Sequence, residues 1–159
     1  MTENQSAGEP AIAAPLTFRK VFTAACNAGE ARSLSVGKQS FGHPVVAKCV
    51  SWIQRIAPDA SIHAPAYCRV EQMAAGHDWH LDTGDSNHMT WCAYSGSVLL
   101  SKPESFSGGW FEFRNPPARH KHYLDLLTYS SDNWHRVTPH EGERRVLLLF
   151  LGKSNGIRS

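Results

Sequence analysis

The chain has 159 residues, 42% hydrophobic and 19% charged, with a formal net charge of +2, which suits one domain able to bury a sizeable core. Basic and acidic residues are interspersed without long runs, and no segment reaches the roughly 20 apolar residues that span a bilayer, so neither nucleic acid nor a membrane is an expected partner. The four cysteines, Cys26, Cys49, Cys68 and Cys92, form no CxxC pair, so free thiols in a reducing, cytoplasmic interior are expected rather than a zinc knuckle or redox dithiol.

In chain order, residues 1–15 lack the basic and apolar regions of a signal peptide and read as a flexible leader of a soluble protein. Residues 16–159 read as a single domain: helical support over 16–66, a β core over 67–152 and a tail over 153–159. From Leu16 to Ala28, Phe18, Val21, Phe22 and Ala25 fall at helical spacing with Gly29 as a stop, which predicts a first helix. A second helix starts at Pro44, carries Val45, Cys49, Trp52, Ile53 and Ile56 as one stripe, and ends at Ala57-Pro58. Short segments rich in aromatic and branched residues follow, separated by Gly, Pro, Ser and Asn clusters. Strands are expected near Tyr67–Met73, Asp78–Asp82, Thr90–Ser101, Trp110–Arg114, Tyr123–Tyr129, His135–Thr138 and Arg144–Leu151. The last is apolar on both parities, as in a central strand covered on both faces. The pattern predicts a sandwich, jelly roll or barrel with helices over one outer face.

Nine histidines are the most unusual feature of the composition, and two stand in suggestive surroundings. In "DWHLDTG" (78–84) an extended backbone puts His80 and Asp82 on one face; this is half of a metal site, or two polar side chains at a strand end. His135 opens the segment "WHRVTPHEGERR", which leads into the last apolar strand. A jelly roll can bring His80, Asp82 and His135 together, and two imidazoles with one carboxylate are the ligand set of mononuclear non-haem Fe(II) oxygenases.

From about Tyr67 to Gly152 the chain resembles the 2-oxoglutarate/Fe(II)-dependent dioxygenases, in particular their prolyl-4-hydroxylase-like branch. "DWHLDTG" resembles the family's His-x-Asp segment, "SVLLSKPESFSGGWFEF" its Leu-Ser…Phe-x-Gly-Gly hairpin, and "WHRVTPHEGERR" its distal His-x-Val-x-Pro segment with a trailing arginine. The resemblance implies a mostly β fold with N-terminal helices: a double-stranded β-helix, the jelly roll shared with cupins. It implies His80, Asp82 and His135 as catalytic iron ligands, Fe(II) and 2-oxoglutarate as cofactor and cosubstrate, and ascorbate as a supporting reductant. It also implies that a basic residue at the start of the last strand binds the distal carboxylate of 2-oxoglutarate, a role suited to the planar guanidinium fork. Arg144 and Arg145 both fall within the family's spacing. Strand parity favours Arg144, which shares a face with Val146, Leu148 and Phe150, and points Arg145 outward; a one-residue bulge would reverse the assignment. The chain departs from the family at Met73-Ala74-Ala75-Gly76, where relatives carry Tyr-x-x-Gly; Tyr67 and Tyr94 are the candidate replacements.

The activity so implied is hydroxylation of an unactivated C–H with conversion of 2-oxoglutarate to succinate. Asp82 favours hydroxylation over halogenation. Phe150 and Leu151 stand where a nucleic-acid demethylase carries a second arginine, and Arg144-Arg145-Val146 replaces the Arg-x-Ser of relatives that dispense with 2-oxoglutarate. A peptidyl proline or other protein side chain is the first substrate reading; a free amino acid or natural-product small molecule is the alternative. The reading from another class is a non-catalytic cupin-like metal- or ligand-binding protein. His77, His88, His120, His122 and His140 read as surface histidines, "ARHKH" (118–122) as a solvated hairpin tip, Trp79, Trp91, Trp110 and Trp134 as core or rim aromatics, and Gly108-Gly109 as a tight turn or bulge.

Overall fold

The computed structural model describes residues 18–83 and 89–154; the expected leader, the first two residues of the expected first helix, Gly84, His88 and most of the expected tail lie outside them. The elements run β1 (Arg19–Phe22), α1 (Ala28–Ser33), β2 (Gly37–Lys38), α2 (Pro44–Ile56), β3 (Ala60–Met73), β4 (His77–His80) and β5 (Tyr94–Leu99). A 3₁₀ turn (Pro103–Ser105) leads to β6 (Ser107–Gly108), β7 (Phe111–Arg114), β8 (Pro117–His120), β9 (Leu126–Ser130), β10 (His135–Val137), β11 (His140–Glu141) and β12 (Arg144–Lys153). The strands form a six-stranded sheet in the order β1-β9-β5-β12-β3-β2, a four-stranded sheet β4-β10-β7-β8 and the small pair β11-β6. The two larger sheets make a β-sandwich of jelly-roll type.

The second expected helix is α2. Pro44 occupies its first turn, His43 Nδ1 accepts from the Val45 N–H, and Val45, Val46, Cys49, Val50 and Ile53 are buried. This stripe packs against Cys68, Val70, Leu147, Leu149 and Leu151 of the large sheet. The helix expected from Leu16 to Ala28 is not formed. Residues 19–22 instead pair antiparallel with β9, Phe22 opposite Leu126 and Arg19 opposite Tyr129. Phe18, Val21 and Phe22 are strand formers, and the ladder offered by β9 overrides their helical spacing. The helix that does form, α1, begins at Ala28, where the expected one was to end, behind a capping box: the Glu30 N–H donates to Asn27 Oδ1 and the Asn27 N–H to Glu30 Oε1, each at 2.8 Å.

β12 lies inside the large sheet, between β5 and β3, which explains its two apolar parities. Leu147, Leu149 and Leu151 face α2, while Arg144, Val146, Leu148 and Phe150 face a cavity between the sheets. The strand extends to Lys153, so the expected tail boundary at 153 falls inside it. "ARHKH" is not a hairpin tip: Ala118 and His120 belong to β8 and pair with Phe113 and Phe111, and the connection is Asn115-Pro116. His140 is buried, its ring nitrogens 3.0 Å from the carbonyls of Gly142 and Ala75. Gly108 and Gly109 have φ of +71° and +66°, and a Cβ on Gly108 would stand 2.2 Å from the Pro139 carbonyl oxygen, so a turn that only glycine fits is observed there.

All four cysteines are free and buried. Burial pushes the Cys49 thiol up to about 12 and those of Cys26, Cys68 and Cys92 to about 11. Among the described residues no helix is long and apolar enough to cross a membrane. Leu147 is fully buried between α2 and the sheet. Leu147→Ala is therefore expected to lower the unfolding free energy by about 2–5 kcal/mol in chemical denaturation; an unchanged midpoint would contradict this packing.

Candidate active site

β4 and β10 are antiparallel neighbours with His80 directly opposite His135, so the two imidazoles emerge side by side, ring centroids 4.2 Å apart. Asp82 lies beyond the end of β4, not inside a strand as expected; its N–H donates to the Ser131 carbonyl at 3.2 Å. Asp82 Oδ1 stands 3.6 Å from His80 Nε2 and 3.2 Å from His135 Nε2. The three ligand atoms lie within 4.8 Å of one another.

The opposite ring nitrogens are tied to the backbone, His80 Nδ1 to the Asp78 carbonyl at 2.7 Å and His135 Nδ1 to the Asn133 carbonyl at 2.8 Å. With Nδ1–H donating outward, each Nε2 points to the centre, where it meets Asp82 as a donor and would have to give up that proton to hold a metal, the usual arrangement of a metal-bound histidine. Burial opposes the Asp82 charge, yet hydrogen bonds from His135 and His80 outweigh it and hold the carboxyl far below the ordinary carboxylate range. Burial likewise opposes protonation of His80, but the Asp82 carboxylate and the Asp78 carbonyl raise its pKa. Two imidazole nitrogens and one carboxylate oxygen fit a divalent transition metal such as Fe(II) and leave coordination positions open.

The cavity facing this trio has a volume of about 600 Å³, and Arg144 lines it from β12. Arg144 is 6% exposed. Its Nε has no hydrogen-bond partner, and among the described residues no carboxylate lies within ion-pair distance. Burial brings the guanidinium down to about 10, against the opposing pull of Glu71 and Tyr129. Arg145 is turned away: its guanidinium donates to the Leu34 carbonyl and its N–H to Ser101 Oγ. β12 keeps its register with β3 from Arg144 to Leu151 and shifts only between Leu151 and Gly152, so the parity of the arginines is unbroken.

Three features escaped the sequence reading. Tyr129, 1% exposed, donates its hydroxyl to Asp82 Oδ2 at 2.9 Å, which leaves Oδ1 as the oxygen directed at the histidines. Burial, with Asp82 beside it, holds this phenol well above its ordinary pKa. His77 is exposed, as expected of a surface residue, and it also lines the cavity, with its ring 4.0 Å from that of His80. Arg69 and Glu71 bring a charged pair to the same cavity from β3. Of the two candidate replacement tyrosines, Tyr67 lines the cavity, whereas the Tyr94 hydroxyl donates to Asp59 at 2.6 Å and is not part of it; Met73 lines it as well.

No protein-family model and no curated protein matches the chain, but solved structures do. An oxidoreductase of the 2OG-Fe(II) oxygenase family from Burkholderia pseudomallei matches 73% of this chain with a TM-score of 0.52 and 21% identity; the match spans 56% of that protein's length. A prolyl-4-hydroxylase from Pseudomonas putida matches 85% of this chain and 92% of its own, with a TM-score of 0.63 and 12% identity. A viral collagen prolyl hydroxylase from Paramecium Bursaria Chlorella virus-1, solved in a 2OG complex, matches 85% and 95%, with a TM-score of 0.62 and 10% identity. The chain thus has the fold of the 2-oxoglutarate/Fe(II) oxygenases, in the form found in prolyl hydroxylases.

The hydroxyl of Tyr129 gives this site a test of its own. For Mn(II) as a probe, Tyr129→Phe is expected to weaken binding about 10- to 100-fold, the usual effect of losing an outer-shell hydrogen bond, and, because it leaves Asp82 Oδ2 without its donor, to lower the unfolding temperature of the metal-free protein as well. Equal Mn(II) affinity in both proteins would reduce Tyr129 to packing.

Proposed function

We propose that the protein is an Fe(II)- and 2-oxoglutarate-dependent dioxygenase that hydroxylates an unactivated C–H. The overall change is R–H, O₂ and 2-oxoglutarate to R–OH, succinate and CO₂. One observation carries this reading: a single cavity holds the His80, Asp82 and His135 donor set together with Arg144, a buried guanidinium that no carboxylate of the described chain neutralises. A buried cation without a counter-ion is costly, and an anionic ligand removes that cost.

When bound, Fe(II) supplies the activation of O₂ that the side chains alone do not provide. His80 Nε2, Asp82 Oδ1 and His135 Nε2 would hold it, and Tyr129 keeps Asp82 to a single ligating oxygen. Arg144 receives the distal carboxylate of 2-oxoglutarate; its charge and planar donor fork suit a carboxylate better than an ammonium would. Val146, Leu148 and Phe150 give the cavity an apolar wall that keeps water from the reacting centre. The carboxylate at position 82 supports hydroxylation over halogenation. The double-stranded β-helix is our description of the two-sheet sandwich, ascorbate is expected to sustain turnover, and free buried thiols suit a cytoplasmic setting. The likeness to structures named as prolyl hydroxylases supports a peptidyl proline as one substrate reading, and a free amino acid or natural-product small molecule is the alternative.

The reading is tested by succinate formation from 2-oxoglutarate with Fe(II), ascorbate and O₂, and by the visible charge-transfer band on anaerobic addition of Fe(II) and 2-oxoglutarate. His135→Ala is expected to abolish both signals. Arg144→Ala is expected to raise the 2-oxoglutarate concentration for half-maximal response about 10- to 100-fold, the loss of a charge-assisted contact. Absence of both signals in the native protein would leave a cupin-like binding module in place of an enzyme.

A further inference from the structure

Apart from the metal-ligand trio, Arg144 and His77, the cavity is charged at one place. Arg69 and Glu71 lie two residues apart on the inward face of β3, opposite Leu148 and Val146 of β12. Arg69 Nε and Nη2 both donate to Glu71 Oε1, at 3.2 and 2.8 Å. The guanidinium also lies 5.7 and 5.8 Å from the ring centroids of Tyr67 and Phe150, which are parallel to within 9°. Two N–H donations to one carboxylate oxygen and loose cation–π contacts with both rings hold it in place. Core packing does not call for ions on the inner face of a sandwich, and the pair keeps 37% and 23% of its side-chain surface open. Nη1 and Oε2 stay outside the pair.

The position of the pair separates it from the proposed cosubstrate site. Arg69 is opposite Leu148, four residues along β12 from Arg144, which at about 3.3 Å per residue is about 13 Å along the strand. Arg69 is held by Glu71, whereas Arg144 has no carboxylate within ion-pair distance among the described residues. The pair lines the same cavity as His77, His80 and Arg144, so it belongs to the wall beside the proposed metal centre.

Resting on the reaction assigned above, we propose that Arg69 and Glu71 form the substrate subsite, and that they take a free α-amino acid as its zwitterion, carboxylate on Arg69 and ammonium on Glu71. A lone anion would be opposed by Glu71 and a lone cation by Arg69. The amides of a peptide interior carry no charge to offset the water both groups lose on closure. A dipolar ligand satisfies both, and about 600 Å³ is within the range that holds small ligands.

The native protein, loaded with Mn(II) and 2-oxoglutarate, is titrated calorimetrically with each common L-amino acid and with its N-acetyl, C-amide form. At least one free amino acid is expected to bind, at least about 10-fold more tightly than its blocked form, and Arg69→Gln and Glu71→Gln are each expected to weaken it about 10-fold or more. Both variants should still bind 2-oxoglutarate, which reports that they are folded; Arg69→Gln should match the native affinity, and Glu71→Gln, which removes a carboxylate acting on Arg144, should bind at least as tightly. Equal binding of the blocked form, unchanged binding in the variants, or no amino-acid binding by protein that does bind 2-oxoglutarate would overturn the subsite and leave Arg69–Glu71 as a cavity-wall ion pair. Failure of the native protein to bind 2-oxoglutarate would instead overturn the reaction, and the subsite with it.

Discussion

A carboxylate that keeps only 5% of its surface must be met by donors on every side, and the arrangement of this protein around Asp82 follows from that requirement. Its backbone N–H is used by Ser131, one carboxylate oxygen faces two imidazoles, and the other receives a phenol. These partners come from β4, β9 and β10 and from the turn after β9, elements of two different sheets. The sandwich must therefore close before the charge is satisfied, and a divalent ion in place of the imidazole contacts would satisfy it further.

The same economy governs β12. Its odd residues from Leu147 to Leu151 are buried against α2, and its even residues from Arg144 to Phe150 face the cavity. One strand supplies hydrophobic stabilisation on one side and a cation with apolar neighbours on the other. Unbroken register with β3 up to Leu151 keeps the two roles apart, since a slip of one residue would exchange the faces.

What could be read beforehand was whatever short-range spacing encodes. The His-x-Asp pair, α2 with its proline start, the doubly apolar last strand and the inward parity of Arg144 all rest on periods of 2 or 3.6 residues. The failures share an opposite cause. Phe18, Val21, Phe22 and Ala25 fit a helical period, and only the edge of β9, more than one hundred residues later, makes β1 a strand. His140 is buried by the Ala75 carbonyl, 65 residues away, and the Tyr129 hydroxyl meets Asp82 across 47. Arg69 and Glu71 were visible as charges on a strand, but nothing local says that their face looks into a cavity. A closer reading of Asn27 and Glu30 as a capping box would have moved the first helix to its observed place.

The division of β12 also bears on how such a protein can change. Odd positions answer to stability and even positions to whatever occupies the cavity, so the even set can be rewritten while the odd set is held constant. Val146, Leu148 and Phe150, with Tyr67, Arg69 and Glu71 on the neighbouring strand, form a compact panel for altering ligand preference by directed diversification, because all six line the cavity. Drift confined to that panel would alter what the cavity accepts while leaving the scaffold intact.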